Sequence, residues 1–252
     1  MNLEGKAVLI TGGRRVGSEL ALMLADRGAS IAMTYHTSRE AIERTVALVE
    51  TRGLRGLAVA ADLAEADQAE RAVRQVVAAF GRLDVLVNMA SIYRRTPFDS
   101  LTPGDFDAMI AANLAAPYYS AVAAARQMLT QTGEGGIKGK IVNIGDWATE
   151  RPYKEYLPYL VAKGGLTTMT LALARELAPH VLVNMVQPAM IDPPPYFTED
   201  EIATHAAVIP LKRIGTPADA NRLILYLLEG TDFATGACYR VDGGRFLGED
   251  VC

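Results

Sequence analysis

The chain reads as a doubly wound α/β domain, a parallel seven-stranded sheet with helices on both faces. Seven short runs of aliphatic residues alternate with segments of helical period, and each run is apolar throughout rather than at every second position. Strands of that kind are buried on both sides, which requires crossover helices above and below a parallel sheet. A glycine-rich turn, Thr11-Gly12-Gly13-Arg14-Arg15-Val16-Gly17, follows the first run directly. Such a turn lets backbone come close to a ligand at one end of the sheet.

The elements follow in order. Lys6 to Thr11 (KAVLIT) is a buried strand with its helix at 16–27, then come a strand at 30–35, a helix at 39–51 and a third strand at 56–60. The helix at 65–80 places Val73, Val76, Val77 and Phe80 on its inner face. A strand at 83–88 (LDVLVN) precedes a loop and a long helix from about 105 to 129, and strands at 140–144, 181–186 and 237–241 complete the set. Pro158 suits the first turn of a helix over 158–177, and a last helix covers 218–228. Residues 131–139 are glycine-rich but short, a loop rather than a boundary. With no internal repeat, charged block or linker, residues 1–252 are expected to form one domain.

Composition narrows the function classes. The chain has 252 residues, 50% of them apolar and 21% charged, enough to bury a full core. A net charge of −4 and a pI near 5.5, without a basic stripe, speak against nucleic acid and anionic membrane and for a small-molecule substrate. The two cysteines, Cys238 and Cys252, form neither a disulfide framework nor a metal-ligand spacing, which fits a reducing cytoplasm, and no metal is expected. The first residues lead straight into a strand without a signal-peptide core, and no uninterrupted apolar stretch reaches the ~18 residues of a membrane span. The expectation is a soluble, unprocessed cytoplasmic protein.

The chemistry-bearing stretch runs from Asp146 to Lys163. Tyr159 and Lys163 stand four residues apart, so on a helix both leave the same face. A phenol of pKa ~10 is a poor acid at neutral pH, and a neighbouring ammonium favours its ionised form. The pair reads as a proton donor, although the same spacing also occurs by accident on helix surfaces. At the other end, the segment closing the second strand is Tyr35-His36-Thr37-Ser38-Arg39 and holds no carboxylate for a ribose hydroxyl. Arg14, Arg15, His36, Ser38 and Arg39 could instead surround a 2′-phosphate, whose oxygens suit guanidinium and hydroxyl groups. The plainer alternatives are that Arg39 starts a solvated helix, that His36 is a loop histidine and that Gly17 serves helix packing.

Taken together these residues resemble the short-chain dehydrogenase/reductase family over nearly the whole chain. The glycine turn is joined by Asp62-Leu63 after the third strand, Asn88-Met89-Ala90-Ser91 after the fourth, Asn113 in the long helix, Tyr159 with Lys163, Pro188-Ala189 after the sixth strand and Val241-Asp242-Gly243-Gly244 near the end. The resemblance implies a Rossmann-like fold that often assembles as a homotetramer through the helices of Asn113 and Tyr159. The cofactor expected is NADPH/NADP+. It would be bound by Gly12, Arg14, Arg15, Val16, His36, Thr37, Ser38, Asp62, Leu63, Asn88, Ala90, Ser91, Tyr159, Lys163, Pro188, Met190 and Ile191. Lys163 would hold the nicotinamide ribose, Asn113 a water leading from that lysine to solvent, and Asp62 would lie over the adenine. Asn113 could also mark only a helix kink, and Asp62 a helix N-cap before Glu65.

Two departures from the family pattern point to one subgroup. The glycine turn is one residue short, with Arg15 where a glycine commonly stands, and Asp146 occupies the position of the catalytic serine, thirteen residues before Tyr159. Both features, with Tyr35-His36 and an aromatic after Ala90-Ser91, resemble pteridine reductases and dihydromonapterin reductases. That implies a catalytic set of Asp146, Tyr159, Lys163 and Asn113. It also implies a substrate site formed by Arg15, Ser91, Tyr93, Asp146, Trp147 and Tyr159, in which Tyr93 stacks on a flat pterin. An acid at 146 suits a ring nitrogen that gains a proton as the adjacent carbon takes hydride. The plainer alternatives make Asp146 a turn residue, Tyr93 a surface tyrosine and Trp147 core. The stretch from Ile191 through Pro193, Pro194 and Pro195 to Phe197 is expected to be a stiff cover over the substrate. A carbonyl reductase, for example a 3-oxoacyl-[acyl-carrier-protein] reductase, is the alternative enzyme, and an NADPH-sensing regulatory protein the alternative outside catalysis.

Overall fold

The computed structural model describes residues 1–193 and 197–248. Its strands are β1 (Ala7–Thr11), β2 (Ser30–Tyr35), β3 (Gly56–Ala60), β4 (Val85–Asn88), β5 (Gly139–Ile144), β6 (Val181–Pro188) and β7 (Cys238–Val241). Its α-helices are α1 (Val16–Ala25), α2 (Arg39–Glu50), α3 (Ala66–Phe80), α4 (Pro103–Ile110), α5 (Ala116–Leu129), α6 (Leu157–Leu177), α7 (Glu199–Ala207) and α8 (Pro217–Leu225). The seven strands form one sheet in the order β3-β2-β1-β4-β5-β6-β7, and every pairing is parallel.

β1 shows why both faces are covered. Its alternate residues Val8 and Ile10 enter a core with Leu20 and Leu24 of α1, Ile42 and Val46 of α2, and Ile224 of α8. Ala7 and Leu9 point the other way, to Val73, Val76 and Phe80 of α3, Ala124 of α5, and Leu166 and Met169 of α6. A strand with both side-chain rows buried must be apolar at every position, which is the pattern the sequence carries. The strand order reverses between β1 and β4, and at that switch point the crossovers leave a crevice outside the carboxyl ends of the strands.

The long helix departs from the sequence expectation. It begins at Pro103 rather than near 105, because Thr102 and Asp105 close a capping box ahead of it. It is also interrupted by a π-helical turn, Ala111–Ala115, that lets α4 continue into α5 with Asn113 fully buried inside. A similar turn, Tyr226–Gly230, ends α8. Taken whole, Pro103–Leu129 is 27 residues long and apolar enough to cross a membrane, where the sequence reading expected no such stretch. Its alanines lift the hydropathy although Asn113 and Ser120 interrupt any apolar run, and half of its most apolar 18-residue stretch is buried; Ala121, Ala124 and Met128 pack in the core. β6 runs two residues further than expected, to Pro188, and α7, capped by Thr198 and Glu201, occupies the helix-like stretch after the prolines. Pro194, Pro195 and Tyr196, part of the expected stiff cover, lie outside the described residues.

Candidate active site

The glycine turn is built for close approach. Gly12 and Gly13 take φ of +59° and +80°. A Cβ on Gly12 would stand 3.1 Å from Ala90 Cα, and one on Gly13 2.9 Å from Gly17 Cα. Neither position admits a side chain without moving the exit of β4 or the start of α1. Gly17 is there for packing, since its own Cβ would meet Met89 Sδ at 3.0 Å. Two threonines to which the sequence gives no role fix the turn. Thr34 Oγ1 accepts from Gly12 N at 3.1 Å, and Thr11 Oγ1 accepts from Met89 N and Ala90 N at 3.0 and 3.2 Å. The available signal was a threonine near the carboxyl end of each of two adjacent buried strands.

The residues present fit a phosphate-bearing dinucleotide. α1 opens at Val16, so its first-turn amides and dipole favour an anion in front of the turn. Arg14, His36 and Thr37 are exposed around that position, with Ser38 half-buried beside them, and residues 36–38 include no carboxylate. Arg39 is engaged by its own helix, Nε to Glu43 Oε1 at 2.7 Å, which favours the solvated-helix reading. Arg15 is likewise paired, its Nε 3.1 Å from Asp192 Oδ2.

The proton-transfer groups come together at the ends of β5 and α6. Asp146 caps a short 3-10 turn (Trp147–Thr149), with Oδ1 accepting from Ala148 N at 2.8 Å. Its other oxygen accepts from the Tyr159 hydroxyl at 2.8 Å. Burial pushes the Asp146 carboxyl above the usual carboxylate range, against the pull of its hydrogen bonds and of Lys163. Tyr159 is buried, and burial followed by the Asp146 charge drives its pKa well above that of a free phenol. Lys163 is also buried, and its pKa falls to about 8, chiefly through burial. Its Nζ donates to the Ile144 carbonyl at 2.8 Å and lies 5.8 Å from the Tyr159 ring centroid. The sequence expectation that the ammonium favours phenolate is therefore corrected. Burial first, and then the Asp146 carboxylate against the phenol oxygen, favour the protonated phenol.

Aromatic rings cluster beside these groups. Tyr93 stacks on Tyr156 at 4.5 Å with 13° between planes and meets Tyr159 edge-on at 5.0 Å. Tyr153 meets Tyr156 edge-on at 5.1 Å, and Trp147 lies 6.3 Å from Tyr153. Trp147 is buried in the same cluster as Tyr159, Met109 and Leu160, so it is both core and wall. Tyr153 and Tyr156 escaped the sequence reading; three tyrosines spaced by three, running into the first turn of α6, were the signal. The walls are clasped together. Thr96 N donates to the Glu155 carbonyl at 2.7 Å, Arg95 pairs with the Glu155 carboxylate, and Glu155 adopts φ +69°.

Four expected site residues have side chains engaged within the protein. Asn88 turns into the interior, donating to Asn143 Oδ1 at 2.9 Å and the Pro117 carbonyl at 3.2 Å, so its side chain ties β4 to β5 and α5. Leu63 is buried with Val59, Ala61, Ala69 and Ala72 as core. Asp62 is no N-cap: its Oδ1 accepts from Ala64 N at 3.1 Å in a local turn, and Glu65 takes the cap position of α3. The Asn113 side chain is committed to the loop after β4. Its Oδ1 accepts from Ser91 Oγ at 2.6 Å and Ile92 N at 3.3 Å, while Nδ2 donates to the Ile92 carbonyl at 3.0 Å. Pro188, Met190 and Ile191 line the exit of β6, where Met190 O accepts from Gly215 N at 3.1 Å and Ile191 bridges Gly215.

A doubly wound sheet with a glycine turn after β1 and an Asp-Tyr-Lys set at the ends of β5 and α6 defines a class of nucleotide-dependent oxidoreductases. Comparison with known proteins narrows the class. Residues 13–245 match the family model described as enoyl-(acyl carrier protein) reductase. The chain is 32% identical over 245 residues to the uncharacterized oxidoreductase YohF of Escherichia coli K12, covering 96% of this chain and 95% of that one. It is 31% identical over 247 residues to a 3-oxoacyl-[acyl-carrier-protein] reductase FabG of Staphylococcus aureus, covering 96% and 98%. Among solved structures, a short-chain dehydrogenase/reductase of Serratia marcescens superposes with a TM-score of 0.88 at 33% identity, covering 97% and 99%. The chain belongs to the short-chain dehydrogenase/reductase family, whose members use NAD(P)H.

Proposed function

We propose that this oxidoreductase is an NADPH-dependent reductase of a pteridine, of the dihydropterin or dihydromonapterin type. The observation that carries the reading is the 2.8 Å hydrogen bond from Tyr159 to a half-buried aspartate where a hydroxyl would serve a ketone. Bound NADPH supplies hydride; the glycine turn with Arg14, Arg15, Val16, His36, Thr37 and Ser38 would hold its phosphates, and Lys163 its nicotinamide ribose. Tyr159 Oη donates its hydrogen to Asp146 Oδ2, and the raised Asp146 pKa lets that carboxyl take up a proton more readily than a solvated carboxylate. Proton delivery from that pair suits a ring nitrogen beside the carbon that takes hydride. The rings of Tyr93, Tyr156, Tyr153 and Trp147 supply apolar faces for a flat heterocycle. The apolar residues exposed on α5 and α6, Tyr118, Leu157, Val161 and Leu171, favour association of copies through those helices, as in a homotetramer.

One observation favours a second reading, carbonyl reduction: the Staphylococcus aureus relative is a 3-oxoacyl-[acyl-carrier-protein] reductase. Steady-state oxidation of NADPH with dihydrobiopterin and, separately, with an acetoacetyl thioester decides between them. The pteridine reading expects the higher kcat/KM with the pterin. A higher value with the thioester overturns it, and absence of turnover with any acceptor favours a regulatory role.

A further inference from the structure

Arg15 reaches across the mouth of the crevice. Its Nε lies 3.1 Å from Asp192 Oδ2, and its Nη1 donates to the Pro193 carbonyl at 3.3 Å. The pair links the turn between β1 and α1 to the segment after β6, the two lips of one groove. The Asp192 end is fixed by its backbone. Asp192 takes φ +52°, an uncommon conformation for a residue with a side chain, and its N donates to the Gly215 carbonyl at 3.3 Å. Both side chains remain partly in water, 43% exposed for Arg15 and 36% for Asp192. An ion pair in that setting is weak, whereas a guanidinium meeting a phosphate gains two parallel charge-assisted hydrogen bonds.

We propose that Asp192 sets the affinity for the dinucleotide by holding Arg15 as a competing counter-ion. The carboxylate occupies the guanidinium in the free protein and gives it up when a phosphate group of the cofactor arrives. This rests on the assignment of Arg15 to the phosphate groups, and it adds a residue that no motif of the chain marks. The carboxylate therefore weakens binding, and the exchange of one partner of Arg15 for another lowers the cost of releasing spent cofactor.

The test is a double-mutant cycle on binding alone. NADPH dissociation constants are read from nicotinamide fluorescence, without acceptor, for the unmodified protein, Asp192→Asn, Arg15→Ala and the double variant, with melting curves to verify the fold. Asp192→Asn is expected to tighten NADPH about two- to fivefold, and Arg15→Ala to weaken it about tenfold. On the Arg15→Ala background, Asp192→Asn is expected to change the constant by less than about twofold. Weaker binding by Asp192→Asn overturns the proposal, since the ion pair would then be clamping bound cofactor. Equal tightening on both backgrounds also overturns it, because the carboxylate would then act by general repulsion. If Arg15→Ala alone leaves NADPH binding unchanged, the phosphate assignment fails and the proposal with it, so the two failures are told apart.

Discussion

Tyr159 gives its hydroxyl hydrogen to Asp146 Oδ2 at 2.8 Å, while Lys163 directs its ammonium to the Ile144 carbonyl. The proton therefore sits between a phenol made less acidic by its surroundings and a carboxylate made more basic by its own. That arrangement has consequences for stability as well as for turnover.

The first concerns Asp146 and pH. Its folded pKa is raised, so between the ordinary carboxylate value and the raised one the unfolded chain holds fewer protons than the folded chain. Stability falls as pH rises through that window. Asp146→Asn is expected to melt above the unmodified protein at pH 7, with the difference shrinking as pH falls toward ~4. Calorimetry at both pH values checks this, and a difference that grows on acidification contradicts it.

Lys163 runs the opposite way. Its folded pKa, about 8, lies below that of the unfolded chain, so below pH 8 a buried ammonium is a liability. Between about 8 and 10.5 the unfolded state binds more protons, and stability is regained as pH rises. Lys163→Met should raise the melting temperature at pH 7 by several degrees, an effect of ~2 kcal/mol after the lost bond to Ile144 is allowed for. The gain should fade by about pH 10. A variant destabilised at pH 7 would show that the ammonium's hydrogen bond outweighs its burial.

Asn113 clamps the loop that carries Ser91 and Tyr93, so its removal should act on the acceptor site. Asn113→Ala is expected to cost about 1–3 kcal/mol of stability, because it leaves the Ser91 and Ile92 partners unpaired. It should raise KM for the acceptor several-fold while NADPH binding changes little. A fall in kcat alone, with KM unmoved, would favour the water-holding role instead.

How much of this was legible depends on the kind of signal. The strands were readable because β1, β2 and β4 bury both side-chain rows and so carry no charged residue. Tyr159 and Lys163 were readable because a spacing of four puts them on one helix face, and Asp146 because the family resemblance marks its position. What escaped was pairing across distant segments. No local pattern tells that Asn113 holds Ser91, that Arg15 meets Asp192, or that Asn88 faces inward to Asn143. The sign of the Tyr159 shift escaped for the same reason, since it depends on burial that only packing creates.

At the end of the sheet away from the crevice, Lys140 is buried and its Nζ donates to the carbonyls of Leu227, Leu228 and Thr231 at 3.0, 2.8 and 2.7 Å, with Asp232 Oδ1 at 2.6 Å. Lys140→Met leaves the buried carbonyls unmet and should destabilise by about 3 kcal/mol. Turnover well below the melting temperature should be unaffected, and urea unfolding beside steady-state kinetics checks both halves.

The central claim, that the aspartate beside Tyr159 serves a ring nitrogen rather than a ketone oxygen, is tested most directly by Asp146→Ser. Kinetics of the variant are measured with NADPH against dihydrobiopterin and against an acetoacetyl thioester. The account predicts that pterin turnover drops by ~10²-fold or more, while thioester turnover holds or rises, because a neutral hydroxyl supports a developing oxyanion that a carboxylate opposes. Loss of thioester turnover in Asp146→Ser, in a protein that never reduced the pterin, would contradict it and assign the aspartate to carbonyl chemistry.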